Sequence, residues 1–564
     1  IIGEYSSKNY NSLNDFLRYL IFISLPLFTF IFSKIFFYNL KFTSVLNSFK
    51  IEKKVPDNLK VINILALLFI VYLALEFLSI DFSIHKIDIY HEGQKLSSAY
   101  KSLLDGSLWS GSFITVGIIY ETIGTKLIWK LFGHESIGSM RFLELIYILF
   151  TKVLLVFLLL EFTRLLSFNS FLKSIFFILT NFCAFFLIDY ILHTGDTIHY
   201  REIPIILSLI LIIKSLKKFS IINYSILGFL SFFTFLWSID RGIVLITFLL
   251  IFIILLTINN RYKDIIYFSI SILFFWTAFV IYDIKEFLFF FENTKTVLTE
   301  MNLLNGLIHP VPFSDEENSS RATKNLLVIL FSLIYTVNIF LSEKKYFSYN
   351  LKFTLFFLST ISLLSYIYAL SRSDGGHIKQ TFAYPSIFLF LIIINFLLLY
   401  VSKIKYNFNF LDSKKNYILF LIIIVSILVN SNFKNIFTFQ NRLNSYVLLD
   451  DKNFLNENEM NFINFAQKFF SDEKCIHLAT TDSALYYLIR KPSCTRFYFT
   501  WSIGSSKNQQ LLIDELKDTN FIILNGISDN WSLPLDIRYP LVNKFIIDNF
   551  NEKILFGERS ILFR

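Results

Sequence analysis

Apolar and polar positions along this chain fall into long blocks, not into the short periods of a soluble fold. Predominantly apolar runs lie at 17–38, 61–80, 141–160, 171–192, 203–214, 220–238, 243–258, 265–283, 324–341, 353–370, 382–401 and 417–431. A helix of about 20 such residues crosses the hydrocarbon core of a bilayer, so the runs predict about twelve membrane-spanning helices. The weakest, 203–214, extends into Lys214–Lys218. Lysine and arginine gather in alternate connections: Lys41 to Lys60, Arg164 with Lys173, Lys214 to Lys218, Arg261 with Lys263, Lys344 to Lys352, and Lys403 to Lys415. Cytoplasmic loops are enriched in these residues. This set is therefore expected to be cytoplasmic, and the other loops exoplasmic, together with everything after about Asn432.

That assignment puts nearly every loop mixing acids, histidine, arginine and glycine on one face. The face carries Asp88-Ile89-Tyr90-His91-Glu92-Gly93, then His193 to Glu202, Asp240-Arg241-Gly242, the long loop Glu286–Lys324, and Ser371 to Lys379. A long loop of this kind is either a lid or an unimportant flexible connection. From about Phe433 the composition becomes that of a water-soluble region. Cys475–Ala479 and Phe521–Leu524 read as strands, Ser483–Ile489, Lys507–Lys517 and Leu541–Asn549 as helices, and Lys553–Phe556 with Ser560–Phe563 as a closing pair. Alternating strands and helices predict a small α/β layer. The expected architecture is mainly α: a polytopic membrane domain over 1–432 and an exoplasmic α/β domain over 433–564, acting as a lid or an acceptor-binding module.

Composition agrees. The chain of 564 residues is 54% hydrophobic and 17% charged, where a soluble protein would be about a quarter charged. The net charge of +9 sits mostly in short loops between apolar runs, so topology explains it and no nucleic-acid partner is expected. The chain opens on Ile, so its natural start is expected upstream, and no cleavable signal peptide is evident. Cys475 and Cys494 fall in the part placed outside the cytoplasm, where a disulfide is chemically permitted. Spacing alone does not show that their Cα atoms approach.

Two carboxylates and an imidazole within five residues, between two spanning runs, are either solvated loop charges or groups that carry chemistry. The loop continues through Leu103-Leu104-Asp105-Gly106 and a Trp109 turn to Leu131-Phe132-Gly133, Ser136 and Arg141. This succession resembles the first-loop signature of bacterial polyprenyl-phosphate-dependent GT-C glycosyltransferases. There an acidic His-Asp/Glu-Gly element precedes a helix ending in Leu-x-Gly, and an arginine opens the next span. Ser371-Arg372-Ser373-Asp374-Gly375-Gly376-His377 resembles the late loop of the same family, and Ala484 to Tyr498 more weakly its C-terminal part. One departure stands out: the family's Pro-Tyr-Arg-Asp is replaced by Leu108-Trp109-Ser110-Gly111.

The resemblance implies a membrane glycosyltransferase, of hexosyl or pentosyl type, that moves a sugar with inversion. The donor would be a polyprenyl-phosphate sugar and the acceptor a glycan, lipid or protein, at the outer face of a bacterial inner membrane. Such transfer needs a base for the acceptor hydroxyl and a clamp for the departing phosphate. It implies Asp88 or Glu92 as base, with Asp88 favoured for its place near the end of the preceding helix and His91 tuning it. Arg372, His377, Lys379, Arg201 and Arg241 are the clamp candidates, since a guanidinium matches phosphate oxygens bidentately. Arg241 has a plainer reading, as a neighbour of Asp240 snorkelling at the interface. Asp374 and Trp109 would shape the loop or the acceptor site. No cofactor is called for; His193, Asp196 and His199 have the residue types of a divalent-metal site or of ordinary loop polarity. Two other functions remain open: a flippase for lipid-linked glycans, and a GT-C scaffold that binds lipid without chemistry.

Overall fold

A computed structural model describes residues 59–166, 168–188, 198–305, 319–341, 348–371, 375–403, 432–526 and 534–564, with isolated positions between 20 and 35. The bundle helices are α1 Leu59–Ser79, α4 Ile137–Thr163, α5 Ser170–Phe185, α6 Ile203–Lys217, α7 Ile221–Trp237, α8 Ile239–Ile258 and α9 Tyr262–Tyr282. They continue with α11 Ser319–Leu341, α12 Tyr349–Ser371 and α14 Ala383–Lys403. Every apolar run from 61 to 401 is thus helical through most of its described part, while 417–431 and most of 17–38 lie outside the described residues. Among the described residues, 6 helices are long and apolar enough to cross a membrane. The chain is a multi-pass membrane protein.

Local chemistry sets the helix ends. Ser136, Asn169 and Ser220 each accept the backbone N–H three residues on, which satisfies one of the open donors of a first turn. Between α1 and α4 stand α2 His91–Asp105 and α3 Gly124–Phe132. They stop at Gly106 (φ 75°) and Gly133 (φ 64°), in the left-handed region where glycine carries no Cβ penalty.

The bundle has two chemically different ends. At one, the loop before α2 meets the start of α4, the turn before α6 meets α8 and α14, and Ile239 N–H donates to Val116 O at 2.6 Å. At the other, Arg164 bonds Glu161 and Asn63, Lys217 bonds Glu161, and Arg261 bonds Asp264 and Ser215 O. Among the described residues, the basic connections at Arg164, Lys217 and Arg261 therefore lie apart in space from the connections at Asp88, Glu202 and Arg241.

Glu286–Lys324 is not one long loop. It begins as a 22-residue helix, α10 Ile284–Asn305, and its last residues already belong to α11. The helix escapes a polarity reading because several of its polar groups, Glu286 and Asn293 among them, face protein. Glu286 accepts from Ser110 N–H at 3.2 Å and from its hydroxyl, while Asn293 exchanges hydrogen bonds with both Ile114 backbone groups at 2.8 and 2.6 Å. Residues 306–318 lie outside the described residues.

After residue 432 come α15 Phe433–Phe437, α16 Phe439–Val447, α17 Glu457–Phe469, α18 Leu485–Ile489, α19 Ser506–Leu516, α20 Leu535–Arg538 and α21 Pro540–Asn549. They surround a four-stranded sheet of β1 His477–Ala479, β2 Phe521–Leu524, β3 Glu552–Phe556 and β4 Arg559–Phe563, in the order β1-β2-β4-β3. β1 and β2 are parallel; the β2–β4 and β4–β3 pairs are antiparallel. Cys475 and Cys494 are disulfide-bonded across a Cα–Cα distance of 4.9 Å. One hydrophobic core joins Ile87, Tyr90, Leu96, Trp129 and Met140 to Phe454, Tyr487, Phe499 and Ile561. The first loop and the C-terminal region thus share an interior.

Gly93 marks the tightest approach. A Cβ there would lie 2.2 Å from the backbone nitrogen of Ala484. Backbone cannot give way as a flexible side chain does, so Gly93→Ala is expected to cost about 1–3 kcal/mol. Thermal unfolding of the detergent-purified protein should show that loss as a lowered midpoint; an unchanged midpoint would mean the interface is loose.

Candidate active site

The acidic turn is built from its ends. Asp88 accepts the N–H groups of Tyr90 and His91 on Oδ1 at 3.0 and 2.9 Å, and its Oδ2 lies 2.7 Å from His91 Nδ1. Glu92 reaches back to accept the Asp88 N–H at 2.8 Å, so the two carboxylates satisfy the first turn of α2 reciprocally. Their environments differ. Asp88 and His91 keep 29% and 36% of their side-chain surface, whereas Glu92 and Arg141 keep none.

Arg141 is the fixture beneath. Its Nε and Nη2 donate to Glu92 at 2.6 and 2.9 Å, Nη1 and Nη2 donate to His85 O and Lys86 O at 2.9 and 3.1 Å, and Phe454 covers the guanidinium at 4.8 Å. One cation therefore ties α4 to both sides of the turn carrying Asp88. A buried pair is tolerated only when its remaining donors and acceptors are met, as they are here.

A second polar cluster lies one turn along α2. Lys95 follows His91 by four residues, on the same helix face. Its ammonium bonds Glu144 and, at 3.1 Å, Tyr200, whose hydroxyl donates to Glu144 at 3.0 Å. Lys95 and Arg201 both sit against the Tyr120 ring, 4.7 and 4.9 Å from its centre. Burial would raise the phenol, but the two cations outweigh it and bring Tyr120 down to about 8. Glu121 next to it is fully buried on a single π-turn, Ile119–Ile123. It accepts from Gln94 (2.9 Å), Thr115 N–H (3.1 Å), Val116 N–H and, across the interface, Tyr498 (2.6 Å). Burial outweighs these donors and holds its carboxyl up at about 7.

Of the residues expected to carry chemistry, Asp88, His91 and Glu92 form one turn, and Arg201 joins the Lys95–Tyr120 cluster. Arg241 is 1% exposed, on Glu202 Oε1 at 2.5 Å and on Asp240, with Tyr384 closing on the other oxygen of Glu202 at 2.5 Å. It is a buried strut between two carboxylates, not an interfacial snorkel. Trp109 is buried against Phe290 and Phe279 at 5.2 and 5.8 Å, and Glu286 secures the turn through Ser110. His199 accepts the Arg201 N–H at 3.2 Å through Nδ1. Lys379 is an exposed residue of the short helix α13, Gly375–Gln380, which also contains His377. Arg372, Asp374, His193 and Asp196 lie outside the described residues. No cluster of three metal-ligating side chains occurs among the described residues. Lys95, Tyr120, Glu121 and Glu144 escaped the sequence reading. The available signal was an acid and a tyrosine inside the apolar stretch from Val116 to Ile123.

No protein-family model and no curated protein matches the chain. Among solved structures it is similar to ArnT from Cupriavidus metallidurans bound to undecaprenyl phosphate, at 8% identity and TM-score 0.44, over 89% of this chain and 98% of that one. The oligosaccharyltransferase of Archaeoglobus fulgidus, tethered to an acceptor peptide, gives 10% identity and TM-score 0.44 over 88% and 72%. A likeness of this depth assigns no substrate and no residue role.

Glu121 yields a pH test. Its carboxyl holds its proton more tightly folded, at about 7, than at the ordinary 4.5. The stability it contributes is complete below about pH 4.5 and lost as pH rises through about 7. That difference is on the order of 3 kcal/mol. Glu121→Gln, which keeps the neutral state, should flatten the decline in unfolding midpoint between pH 4.5 and 7.5; an unaltered profile would remove Glu121 as its source.

Proposed function

We propose that this chain is an inverting membrane glycosyltransferase that takes a sugar from a polyprenyl-phosphate donor. The observation that carries the reading is the Asp88–His91 pair: a partly exposed carboxylate, oriented by three hydrogen bonds on a turn fixed by Arg141, with Lys95 one helical turn beyond His91 and Arg201 against the same Tyr120 ring as Lys95. The first-loop resemblance, in which Arg141 opens the next span, supports it. Asp88 takes the proton of the acceptor hydroxyl as that oxygen attacks the anomeric carbon. The new glycosidic C–O bond forms while the C–O bond to phosphate breaks, and the electron pair leaves with the polyprenyl phosphate. Arg201, with Lys95 behind the Tyr120 ring, offers the positive charge that favours this departure. Glu92, with both oxygens on Arg141, serves as support, and His91 orients Asp88 and tunes its basicity.

The acceptor is a glycan, lipid or protein, and the reacting end faces the exoplasmic side of a bacterial inner membrane. Two observations favour that sidedness: cytoplasmic-type basic loops collect at the other end, and this end carries the disulfide, a bond that persists in oxidising compartments. Residues 433–564 form the exoplasmic portion and cover the first loop.

The test is transfer from a radiolabelled polyprenyl-phosphate sugar by membranes holding the protein. Asp88→Asn keeps a side chain able to cap the turn and should lower kcat by on the order of 10²–10⁴-fold. Arg201→Gln should weaken use of the donor. Full transfer by Asp88→Asn would reject the site. Movement of a lipid-linked glycan across the membrane with no sugar transferred would favour the flippase reading, with the Lys152–Glu76 pair at 3.3 Å as the ionisable group to examine first.

A further inference from the structure

The turn carrying Asp88 and His91 is held from above by a single stretch of the C-terminal region. Ala484 N–H donates to Ile89 O at 3.0 Å, the Ser483 hydroxyl to Tyr90 O at 3.2 Å, and the Ser97 hydroxyl to Ser483 O at 2.6 Å. Around Cys494, the carbonyls of Ser493 and Thr495 take the buried ammonium of Lys101 at 3.2 and 2.9 Å, and Arg496 O takes Phe113 N–H at 2.8 Å. Every one of these groups lies inside, or within two residues of, the loop closed by the Cys475–Cys494 disulfide, whose sequence separation is 19. The loop ends are also joined by backbone: Ile476 N–H donates to Pro492 O at 3.1 Å and Cys494 N–H to Ile476 O at 3.0 Å. Both cysteines are half-buried.

We propose that the Cys475–Cys494 disulfide is a redox-responsive positioning staple for the Asp88–His91 turn. With the bond formed, the grip of Ser483 and Ala484 on Ile89 and Tyr90 is rigid, and Gly93 leaves no slack against it. Reduction needs an external dithiol: the S–S bond breaks, each cysteine gains a hydrogen, and the dithiol gives up two electrons and two protons to close its own disulfide. The loop then recovers the conformational freedom that closure had removed. Its hold on the first turn of α2 weakens, while the bundle stays folded. The consequence for turnover rests on the proposed transferase activity; the structural consequence does not.

The experiment is hydrogen–deuterium exchange on the full-length protein in detergent, oxidised and after dithiothreitol, alongside the Cys475→Ser/Cys494→Ser double variant. Amides of 88–101 should exchange about tenfold faster in the reduced protein and in the variant, with those of 148–158 inside α4 unchanged. Reoxidation of the reduced protein should restore slow exchange. In the transfer assay, kcat should fall on reduction and recover on reoxidation, with KM for the donor changed less, because Arg201 lies outside the segment that loosens. Equal exchange over 88–101 in the two redox states would overturn the staple, whatever the transfer result. Faster exchange without any transfer activity would uphold it and count against the enzymatic reading alone. Reversible reduction keeps the test decisive if the double variant does not fold.

Discussion

The buried pair of Arg141 and Glu92 is the constraint on which the rest of the site depends. Taking both charges out of water costs several kcal/mol per ion, and the structure offsets that cost with two hydrogen bonds between them and two more to the carbonyls of His85 and Lys86. The result is geometric. Asp88 is bracketed by residues 85–86 on one side and Glu92 on the other, all referred to the N-terminal end of a 27-residue helix. A carboxylate on a loop between two spans would otherwise drift with the loop. This one is fixed to the bundle while keeping its outer oxygen beside His91.

Around that fixture the molecule divides its carboxylates by task. Asp88 stays partly hydrated. Glu92 and Glu202 are paired with arginine and Glu144 with lysine, while the hydrogen-bond donors on Glu121 are uncharged; burial dominates there and its carboxyl is pushed up. Glu202 also feels burial first, with Arg241 and Tyr384 pulling against it. The C-terminal region takes part through Tyr498 on Glu121 and Ser483–Ala484 on the acidic turn, so the site wall is assembled from chain segments nearly 400 residues apart.

Much of this was legible in the sequence. The block pattern placed the bundle helices, because about 20 apolar residues leave the backbone no alternative in lipid. Lysine and arginine content set the connections at Arg164, Lys217 and Arg261 apart from those at Asp88 and Arg241, and these lie at opposite ends of the bundle. The strands at Phe521–Leu524 and Ser560–Phe563 were visible as short apolar runs. What was hidden has a common cause: polar residues that bond to protein look like polar residues that face water. Glu286 and Asn293 made a helix resemble a loop, Glu92 looked as free as Asp88, and Lys95 and Glu144 gave no sign of meeting across 49 residues. The capping box of Asn456 with Glu459, which opens α17, was a readable local signal that the strand-and-helix reading passed over.

The account stands or falls on whether Glu92 and Arg141 act as one unit, and a double-mutant cycle measures that. Glu92→Gln and Arg141→Met each leave a buried charge without its partner and should each destabilise by about 3–5 kcal/mol. The two together remove both charges and should cost little more than either alone, a coupling well above the roughly 0.5 kcal/mol within which independent sites add. Unfolding midpoints of the four proteins that give additive losses would contradict the claim that this pair fixes the acidic turn.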